Sequence, residues 1–497
     1  MPLRVNREAS RAAKLEGFPY QIEAVEALKC LEYAAVFHEQ GLGKTKIAID
    51  LALTWLRQED VDSVLFLTKK GLVANWRDEI RAHSFIVPRI LDQHRSSNFF
   101  AFNSPARFYL AHYEVCVSEL NRLILFLKTR RIGVICDEAQ KFKNPTSTIA
   151  QALFQLSSGF ARRVVLTGTP IANRPYDIWA LIYFLDHGES LGTDFNEFKR
   201  TVDLTNQLRA DDKRRDAFEQ NLGKVSERIQ AFSVRETKAS AGITLPTKTI
   251  VNILVDAEDR QAEIYKAYRD ELRAIVVKHG VPKLDAADYL LKRLLRLVQI
   301  ASNPQLVDDA YTGVPGKLDM LTALLTEKIG VDQSAKAIVW TTFTENATCL
   351  ARSLRDYGAV CVHGKMAIDE RNRAISRFKT ESSVRLLVAT TGSAKEGLTL
   401  TVANYAVFYD RSFSLDDYIQ AQDRIHRISQ NRDCYIYNLI LRNTVDEWVD
   451  DLLTAKHLAA QLGLGDVGME EYTANANYDF AATLERILGP LGGAKER

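Results

Sequence analysis

The sequence predicts an α/β protein with two separate lobes, each built on a parallel sheet. Short apolar runs alternate with amphipathic helical stretches, a pattern typical of strands that are buried on both faces and connected by helices. The apolar runs fall into two sets, and a long polar, helix-rich region separates them. At roughly 100–200 residues per domain, a chain of 497 residues has room for two to four domains.

The predicted elements follow this division. Each set of strands has its own accompanying helix: Val64–Thr68, Ile132–Cys136 and Val164–Thr167 with the helix Lys46–Leu56, then Ala337–Thr341, Leu386–Thr390 and Tyr405–Tyr409 with the helix Thr344–Tyr357. Between the sets, the pattern predicts two long helices and one extended segment, at Asp256–Gly280, Ala286–Ala301 and Thr247–Val255. We interpret this region as helical insertions around a connection between the lobes.

The composition is that of a folded protein whose charge is unevenly distributed. The chain is 46% hydrophobic, which is too apolar for a mainly disordered protein. Its 65 basic and 63 acidic residues give a net charge of +2, which excludes a uniformly basic surface but not a local basic groove. The segment Thr444–Arg497 has a charge balance of −6, which leaves +8 for residues 1–443. The acidic end is either a solvated helix or a docking or regulatory element.

Cysteine usage and hydropathy suggest the compartment. The six cysteines are scattered, and no two have the CxxC spacing of a zinc site or a redox pair. The first residues lack the apolar stretch of a signal peptide, and no run of about 18 apolar residues predicts a membrane span. We therefore expect a soluble protein of a prokaryotic or phage-infected cytoplasm, or of the nucleus if the source is eukaryotic, with no membrane partner.

The segment HEQGLGKT (His38–Thr45) has the composition of a phosphate-binding loop between the apolar run Tyr33–Phe37 and a helix. Its glycines allow backbone N–H groups to approach an anion, and the helix N-terminus adds a positive dipole. Lys44 is expected to reach the β- and γ-phosphates, and Thr45 to ligate magnesium. The general pattern GxxxxGK[ST] has glycine where this chain has His38.

The segment VICDEAQ (Val134–Gln140) is a buried apolar run that ends in two acids. Asp137 is placed to hold magnesium, and Glu138 can orient or deprotonate an attacking water. A solvated acid pair at a strand end is a common feature by itself. Together with a phosphate loop upstream, the pair favours phosphoryl chemistry.

The segment QAQDRIHR (Gln420–Arg427) carries a third candidate group. Arg424 and Arg427 lie three residues apart, which predicts that they share one face of a helix. They are either ordinary surface charges or arginine fingers that act on a γ-phosphate. In the second case, hydrolysis depends on closure of the two lobes.

From about Gly17 to Asp446, these segments resemble the Swi/Snf-type double-stranded DNA translocases of helicase superfamily two. Further segments are similar to motifs of that family: FPYQIEAV (Phe18–Val25), TKKGLVANWRDEI (Thr68–Ile80), LTGTPIANRPYDIWALIYFL (Leu166–Leu185), SNPQL (Ser302–Leu306), VWTTFT (Val339–Thr344), VHGKMAIDERNRAISRF (Val362–Phe378) and ATTGSAKEGLTL (Ala389–Leu400). The stretch LTGTP followed by N…D-I-W is the most specific. The resemblance implies two RecA-like lobes, ATP and Mg²⁺ as cofactors, and double-stranded or branched DNA as the partner of a monomeric motor.

The resemblance also implies a role for particular residues. The catalytic residues are Lys44, Asp137, Glu138, Arg424 and Arg427. The nucleotide is bound by Gln21, Gly41, Leu42, Gly43, Lys44, Thr45 and Gly397, and the metal by Thr45 and Asp137. Coupling between nucleotide and DNA is assigned to Gln140, Thr167, Gly168 and Thr169. DNA contacts are assigned to Thr68, Lys69, Lys70, Tyr113, Thr342, Gly364, Lys365 and Thr390. Trp76 and Trp179 are interpreted as packing anchors, and Arg235 resembles an arginine-bearing brace.

The predicted domain limits follow from the same resemblance. Residues 1–245 form RecA-like lobe 1, which binds ATP and has a helical protrusion at about 176–240. Residues 246–497 form lobe 2, with a helical protrusion at about 255–305 and the acidic tail from about 444. The protrusions either space the lobes and grip the duplex, or are simple solvated helices.

Three departures from the family pattern bear on function. The family's DEAH or DEGH is DEAQ here, so that Gln140, which cannot carry a charge, replaces a histidine. The segment GSAKEGLTL differs from the family's usual RAGGLGINL, and no chromatin-reading extension is evident. We therefore expect a translocase that remodels branched DNA by branch migration or fork reversal. The alternatives are a strand-separating DNA or RNA helicase, a remodeller of protein–DNA complexes, or a non-enzymatic scaffold that binds nucleic acid.

Overall fold

A computed structural model describes residues 9–92, 95–103, 105–171, 173–203, 212–243, 245–279, 287–395 and 399–475. The strands in this part of the chain are β1 (Tyr33–Val36), β2 (Ser63–Thr68), β3 (Arg89–Leu91), β4 (Phe108–His112), β5 (Ile132–Asp137), β6 (Arg162–Leu166), β7 (Ser233–Val234), β8 (Lys248–Val255), β9 (Ala337–Thr341), β10 (Val360–Val362), β11 (Leu386–Thr390), β12 (Tyr405–Phe408) and β13 (Cys434–Leu441).

The α-helices are α1 (Pro19–Leu28), α2 (Lys44–Arg57), α3 (Val73–His83), α4 (Arg95–Asn103), α5 (Glu114–Ser118), α6 (Leu120–Thr129), α7 (Thr148–Ser157), α8 (Trp179–Asp186), α9 (Phe195–Val202), α10 (Asp212–Ile229), α11 (Asp259–His279), α12 (Ala287–Ser302), α13 (Gly316–Leu325), α14 (Thr344–Ser353), α15 (Ile368–Thr380), α16 (Leu415–Gln422), α17 (Val445–Leu464) and α18 (Met469–Asn475). Among the described residues, no helix is long and apolar enough to cross a membrane.

The first sheet has seven parallel strands in the order β3-β4-β2-β5-β6-β1-β7. Alternate residues of the central strands enter two different apolar clusters: Ala35 and Val134 lie in one, and Ala34 and Ile135 lie in the other. Burial on both faces explains why the strands are continuous apolar runs instead of alternating ones. It also brings the carboxyl ends of β1, β5 and β6 to a common edge.

The second sheet has six parallel strands in the order β10-β11-β9-β12-β13-β8. Its two faces are buried in the same alternating way, with Val339 in one cluster and Ile338 in the other. Helices α11 and α12 bury apolar residues such as Tyr265 and Leu297 in the first of these clusters. The prediction of an α/β protein with two parallel sheets is therefore confirmed.

The chain divides into two compact units. The first contains the described part of Met1–Thr244 together with Ala459–Tyr472, and the second contains the described parts of Leu245–Leu458 and Thr473–Arg497. The sequence interpretation assigned everything after residue 245 to lobe 2, and the structure corrects this for Ala459–Tyr472. The physical reason is local packing, because Ala460 and Leu464 bury their side chains in an apolar cluster of the first unit.

The proposed protrusion of the first lobe also begins later than the sequence suggested. Helix α8 lies within the predicted range of 176–240, yet Ala180, Leu181 and Phe184 are fully buried in the core of the first unit. A helix that is apolar on all sides is buried, not exposed as a protrusion. Helices α9 and α10 follow it, and residues 204–211 between them lie outside the described part of the chain.

Several strands were not predicted from the sequence. Strand β4 lies between β2 and β3, and β13 pairs with β12 and β8. The extended segment that the sequence placed in a connection, Thr247–Val255, is largely β8, which pairs with β13 from Lys248 to Val255 as the edge of the second sheet. Strand β8 is largely exposed although it is mostly apolar, so its sequence predicted an extended segment but not its place at a sheet edge.

Candidate active site

The phosphate loop connects β1 to α2 at the carboxyl edge of the first sheet. Gly41 and Gly43 have φ values of +91° and +69°, a region that favours glycine over other residues. Gly43 immediately precedes the helix, and the amide of Lys46 donates to its carbonyl at 2.8 Å. The loop therefore presents a helix N-terminus, which is an anion-binding arrangement.

Lys44 and His38 lie together inside this loop. Both residues are buried, and the Lys44 ammonium donates to the carbonyl oxygens of His38 and Glu39 at 2.9 and 3.2 Å. Burial, with the Lys44 charge as a second cause, lowers the pKa of His38 to about 4. His38 is therefore neutral near pH 7, and the positive charge of the loop is carried by Lys44.

Gln21, the predicted base-reading residue, contacts the loop directly. Its Nε2 donates to the carbonyl oxygen of Leu42 at 3.1 Å, and its Oε1 accepts from the Phe18 amide at 3.0 Å. A Cβ atom at Gly43 would lie 2.3 Å from the same Nε2. The close approach of Gln21 is thus a second reason why Gly43 has no side chain.

Asp137 ends β5 and is held by residues of β2, α3 and the segment after β4. The Trp76 indole donates to its Oδ2 at 2.7 Å and the Thr68 hydroxyl at 3.4 Å, and the Tyr113 hydroxyl donates to its backbone carbonyl at 2.7 Å. Burial, followed by the neighbouring Glu138 charge, raises the pKa of Asp137 to about 6. A cation close to this carboxylate would lower its pKa again, because it stabilises the charged form that burial and the Glu138 charge disfavour.

Glu138 follows in a left-handed conformation with φ +53°. Its Oε2 accepts from the Gln140 amide and lies 3.4 Å from the Lys69 ammonium. Gln140 in turn accepts from the Thr167 hydroxyl at 2.8 Å, and that hydroxyl also accepts from the Thr169 amide at 3.1 Å. The predicted general base and three of the four predicted coupling residues therefore form one hydrogen-bonded chain.

Gly168, the fourth coupling residue, lies against the phosphate loop. A Cβ at this position would lie 2.9 Å from the Gln40 side chain. The amide of Thr167 donates to the Val36 carbonyl at 3.2 Å, which connects the end of β6 to the end of β1. The segment Thr167–Thr169 therefore lies between the phosphate loop and the Asp137–Glu138 pair.

The donor set of the first unit fits Mg²⁺ held largely by phosphate oxygens. Thr45, at the start of α2, supplies a hydroxyl, and Asp137 supplies a partly buried carboxylate with a raised pKa. Both are the hard oxygen ligands that Mg²⁺ prefers. Among the described residues, no group of three or more His, Cys, Asp or Glu side chains could hold a metal by itself. Mg²⁺ commonly binds through one or two protein ligands and substrate phosphates, so this set is sufficient.

The predicted DNA contacts of the first unit separate into two groups. Thr68 and Tyr113 are fully buried, and their hydroxyls donate to Asp137. Their side chains therefore lie inside the first unit, and a contact of either residue with DNA stays a prediction that only its backbone could fulfil. Lys69 is partly exposed and Lys70 is exposed, so both stay predictions as DNA contacts.

The second unit places its predicted DNA contacts at the ends of β9, β10 and β11. Gly364 and Lys365 are exposed, and Lys365 pairs with Glu345 at 2.6 Å. Thr342 is partly buried, and its amide donates to Asp410 at 2.6 Å. Thr390 is only 6% exposed, so little of its side chain is available to a ligand.

The two candidate arginine fingers do not share a helical face, which corrects the sequence interpretation. Helix α16 ends at Gln422, and both residues follow it in turns. The carbonyl of Arg424 accepts from the Leu400 amide at 2.9 Å, which diverts the chain from the helix. Arg424 is buried, whereas the partly exposed Arg427 donates to Asp423 O and to Thr399. Gly397, predicted to bind nucleotide, lies outside the described residues.

Sequence reasoning missed several residues that hold these sites. Trp76 was interpreted only as a packing anchor, although its indole N–H binds the Asp137 carboxylate. In the second unit, Asp410 accepts from Ser302 and Thr341 at 2.7 and 2.5 Å. The sequence signal for Asp410 and Thr341 is their position at or next to the carboxyl ends of strands, where parallel sheets carry their sites. Trp76 lies in α3, within the motif segment Thr68–Ile80.

Comparison with known proteins places the chain in a family. A model of the SNF2-related domain matches residues 20–306, and a model of the helicase conserved C-terminal domain matches residues 316–429. The first match covers more than half of the chain. The chain therefore belongs to the SNF2-related family, the ATPases of helicase superfamily two.

The chain is similar to curated proteins with different names. It is 26% identical over 467 residues to the DNA repair and recombination protein RAD54-like of Gallus gallus, covering 84% of this chain and 62% of that protein. It is 26% identical to the ISWI chromatin-remodeling complex ATPase ISW1 of Saccharomyces cerevisiae, covering 89% of this chain and 40% of that protein. It is 25% identical to the uncharacterized ATP-dependent helicase MG018 of Mycoplasma genitalium, covering 86% of this chain and 40% of that protein. The chain thus spans about two fifths to three fifths of the length of these relatives.

Among solved structures, the chain matches the Sulfolobus solfataricus SWI2/SNF2 ATPase core in complex with dsDNA. The identity is 23% and the TM-score is 0.42, with 96% of this chain and 98% of that chain covered. The SWI2/SNF2 ATPase core domain of the same organism matches with 24% identity and a TM-score of 0.41, covering 98% of this chain and 97% of that chain.

Proposed function

We propose that this protein hydrolyses ATP with Mg²⁺ and uses the energy to translocate along double-stranded DNA. The observation that carries the proposal is the arrangement of the phosphate loop, the Asp137–Glu138 pair and the segment Thr167–Thr169 along one edge of the first sheet. The Gln140–Thr167 hydrogen bond of 2.8 Å joins the last two of these elements. Such a chain can report the state of the nucleotide to the rest of the molecule.

The roles of the residues follow from their chemistry. The phosphate loop and Lys44 bind the phosphates, and bound Mg²⁺, held by Thr45 and Asp137, would polarise them. Glu138 orients or deprotonates the attacking water. Gln21 and Leu42 support the loop, and we carry over from the resemblance that Gln21 reads the base. Arg424 and Arg427 are proposed, on the resemblance alone, to stabilise charge on the γ-phosphate.

The finer proposal is that the DNA substrate is branched and that translocation drives branch migration or fork reversal. The similarity to a protein named for DNA repair and recombination supports this choice. The similarity to a chromatin-remodeling ATPase supports the second candidate, a remodeller of protein–DNA complexes. The chain spans 62% of the first of these relatives and 40% of the second.

The central experiment measures ATP hydrolysis with duplex DNA, single-stranded DNA and RNA at equal nucleotide concentration. We expect duplex DNA to stimulate hydrolysis most, since a translocase reads the duplex backbone. The Glu138→Gln variant should retain ATP binding and lose turnover, which separates a catalytic role from a folding role. Stimulation by single strands or RNA that equals stimulation by duplex would remove the support for a duplex translocase.

A second experiment selects among substrates. A Holliday junction, a model fork, a nucleosome, a tailed duplex and a triplex are each incubated with protein and ATP. Branch migration and displacement of the triplex strand, with poor unwinding of the tailed duplex, are the results expected of a branched-DNA translocase. Efficient unwinding of the tailed duplex would instead identify a strand-separating helicase, and nucleosome sliding would identify a remodeller.

A further inference from the structure

Lys69 and Glu138 occupy neighbouring positions at the ends of two adjacent strands. Strands β2 and β5 are parallel and pair in register up to Leu67 and Cys136. The next residues are Thr68 and Asp137, whose side chains form a hydrogen bond of 3.4 Å. One residue further, the Lys69 ammonium lies 3.4 Å from Glu138 Oε2. The strand register therefore fixes a lysine beside the residue proposed to activate water.

This contact engages one of the two carboxylate oxygens of the proposed base. Both the Gln140 amide and the Lys69 ammonium approach the same atom, Oε2 of Glu138. An oxygen that accepts from two donors is held in place and has less capacity left to accept a hydrogen bond from a water. The side chains of Lys69 and Glu138 are 20% and 16% exposed, so water screens the pair less than it screens a surface salt bridge.

Lys69 is also the residue of this pair that can reach another anion. It precedes the short 3₁₀ helix Lys70–Leu72, and the following residue, Lys70, is exposed. The Lys69 side chain is 20% exposed, unlike Thr68 and Trp76, which are almost fully buried. A phosphodiester close to Lys69 and Lys70 would compete with Glu138 for the Lys69 ammonium.

We propose that Lys69 is a positioning residue that restrains Glu138 until a DNA phosphate binds. In the DNA-free protein, the Lys69–Glu138 ion pair keeps the base from activating water and slows hydrolysis. When a backbone phosphate of duplex DNA binds the Lys69 ammonium, Glu138 is released and hydrolysis accelerates. This inference rests on the proposed function, and it names the side chain through which DNA controls the ATPase.

The first test measures hydrolysis without and with duplex DNA for wild type, Lys69→Met, Lys69→Arg and the control Lys128→Met. Lys128 is an exposed lysine near the end of α6, and it is not one of the predicted site residues. Lys69→Met should raise the DNA-free rate roughly fivefold, at the lower end of typical coupling between two binding sites, and reduce the stimulation ratio. Lys69→Arg, which retains the charge, should keep most of the stimulation, and Lys128→Met should behave as wild type.

The second test measures DNA affinity in the absence of nucleotide and Mg²⁺. Because coupling between two partners is reciprocal, removing the Glu138 charge should make Lys69 more available to DNA. Glu138→Gln should therefore lower the Kd for duplex DNA roughly fivefold. The double variant Lys69→Met/Glu138→Gln should lose this gain, and Glu23→Gln, which neutralises an exposed carboxylate of α1, should not produce it.

The two proposals fail in different ways. If duplex DNA does not stimulate wild type, the proposed translocase is in doubt, whereas the DNA-free rate of Lys69→Met still reports whether Lys69 restrains Glu138. If wild type is stimulated but Lys69→Met has a DNA-free rate equal to or below wild type, the restraint is overturned. An unchanged Kd of Glu138→Gln would also overturn it. Thermal melting of each variant verifies that it is folded.

Discussion

The Asp137 carboxylate depends on a buried indole. Trp76 is 2% exposed, packs at a ring distance of 5.2 Å from Phe66 and donates to Asp137 Oδ2. A hydrogen bond to a charged group contributes about 1.5 to 3 kcal/mol. We expect Trp76→Phe to preserve the apolar packing and to lower kcat about tenfold or more, since the carboxylate loses the donor that fixes its position.

The control for this substitution is Trp55→Phe. Trp55 is also buried, and its indole donates to the Lys29 carbonyl at 3.2 Å, away from Asp137. Both variants should lose some thermal stability, but only Trp76→Phe should lose turnover when kcat is measured at saturating ATP. Equal kcat values in the two variants would show that Trp76 has only a packing role.

The buried His38 makes stability depend on pH. Its pKa falls to about 4 in the folded protein, from an ordinary value of 6.5. The unfolded chain therefore binds a proton at His38 more readily than the folded protein does. This difference leaves the folded protein at full stability above pH 6.5 and lowers its free energy of unfolding as the pH falls through about 4. We expect the free energy of unfolding of His38→Phe to fall less than that of wild type between pH 6.5 and about 4. The difference between the two proteins should change by up to about 3 kcal/mol over this range.

The measurement is denaturant unfolding at pH 7.5, 6, 5 and 4 without nucleotide, with His187→Asn as the control. His187 is an exposed histidine in a left-handed conformation with φ +57°, which asparagine tolerates. The difference between His38→Phe and wild type should change with pH, and the difference for His187→Asn should not. If the difference in unfolding free energy between His38→Phe and wild type did not change with pH, the lowered pKa of His38 would be contradicted.

At the level of secondary-structure elements, the segment Ala459–Tyr472 is connected to the strand that enters the phosphate loop. Arg235, which follows β7, makes a bidentate ion pair with Asp466 and donates to the Phe37 carbonyl at 2.6 Å. The neighbouring Lys238 pairs with Glu39 at 3.0 Å. The segment after β7 therefore connects the end of α17 to residues 37–39, immediately before the loop glycines.

We expect Asp466→Asn to loosen this segment. Removing one charge of a largely buried pair leaves Arg235 without its anionic partner, at a cost of about 2 kcal/mol. Hydrogen exchange should increase across residues 459–472 and, to a smaller extent, across β7. The variant Glu470→Gln neutralises an exposed carboxylate of the same segment and should leave exchange unchanged. Equal exchange in both variants would mean that apolar packing of Ala460 and Leu464 alone holds the segment.

At the level of the whole molecule, each unit carries part of the proposed chemistry. The phosphate loop, Asp137 and Glu138 belong to the first unit, and Arg424 and Arg427 belong to the second. If Arg427 stabilises the γ-phosphate, Arg427→Ala should lower kcat by about 10³-fold with little change in ATP affinity. Arg352→Ala removes an exposed arginine of the same unit and is the control.

Single-turnover hydrolysis and nucleotide binding together check this prediction. A parallel loss of ATP affinity and kcat would indicate a ground-state contact, and an unchanged kcat would remove Arg427 from the reaction. Because Arg427 Nη1 donates to Thr399 at 3.1 Å, a Thr399→Val variant tests whether that hydroxyl positions the guanidinium.

Local sequence was sufficient to predict the elements that carry the motifs. The strands Ala337–Thr341 and Leu386–Thr390 agree with the structure to the residue, because strands buried on both faces are continuous apolar runs. The phosphate loop and the Asp137–Glu138 pair were predictable for a related reason, since their function requires particular residues at short, fixed spacings. The edge strands β3 and β7 were missed because strands of two or three residues carry little apolar pattern. The segment of β8 was predicted as extended, but its place in the second sheet depends on pairing with the distant β13.

The sequence by itself thus determined the fold class, the family and the phosphate-binding and acidic motifs, all of which depend on residues close together in the chain. Only the tertiary structure decided that the side chains of Tyr113 and Thr68 bind Asp137, that Trp76 binds a carboxylate, and that Asp466 pairs with Arg235 across 231 positions of sequence. It also decided that Lys69 lies beside Glu138. These contacts join residues far apart in the chain, and they depend on the strand order, the register of the sheet and the packing of distant segments, which no local pattern contains.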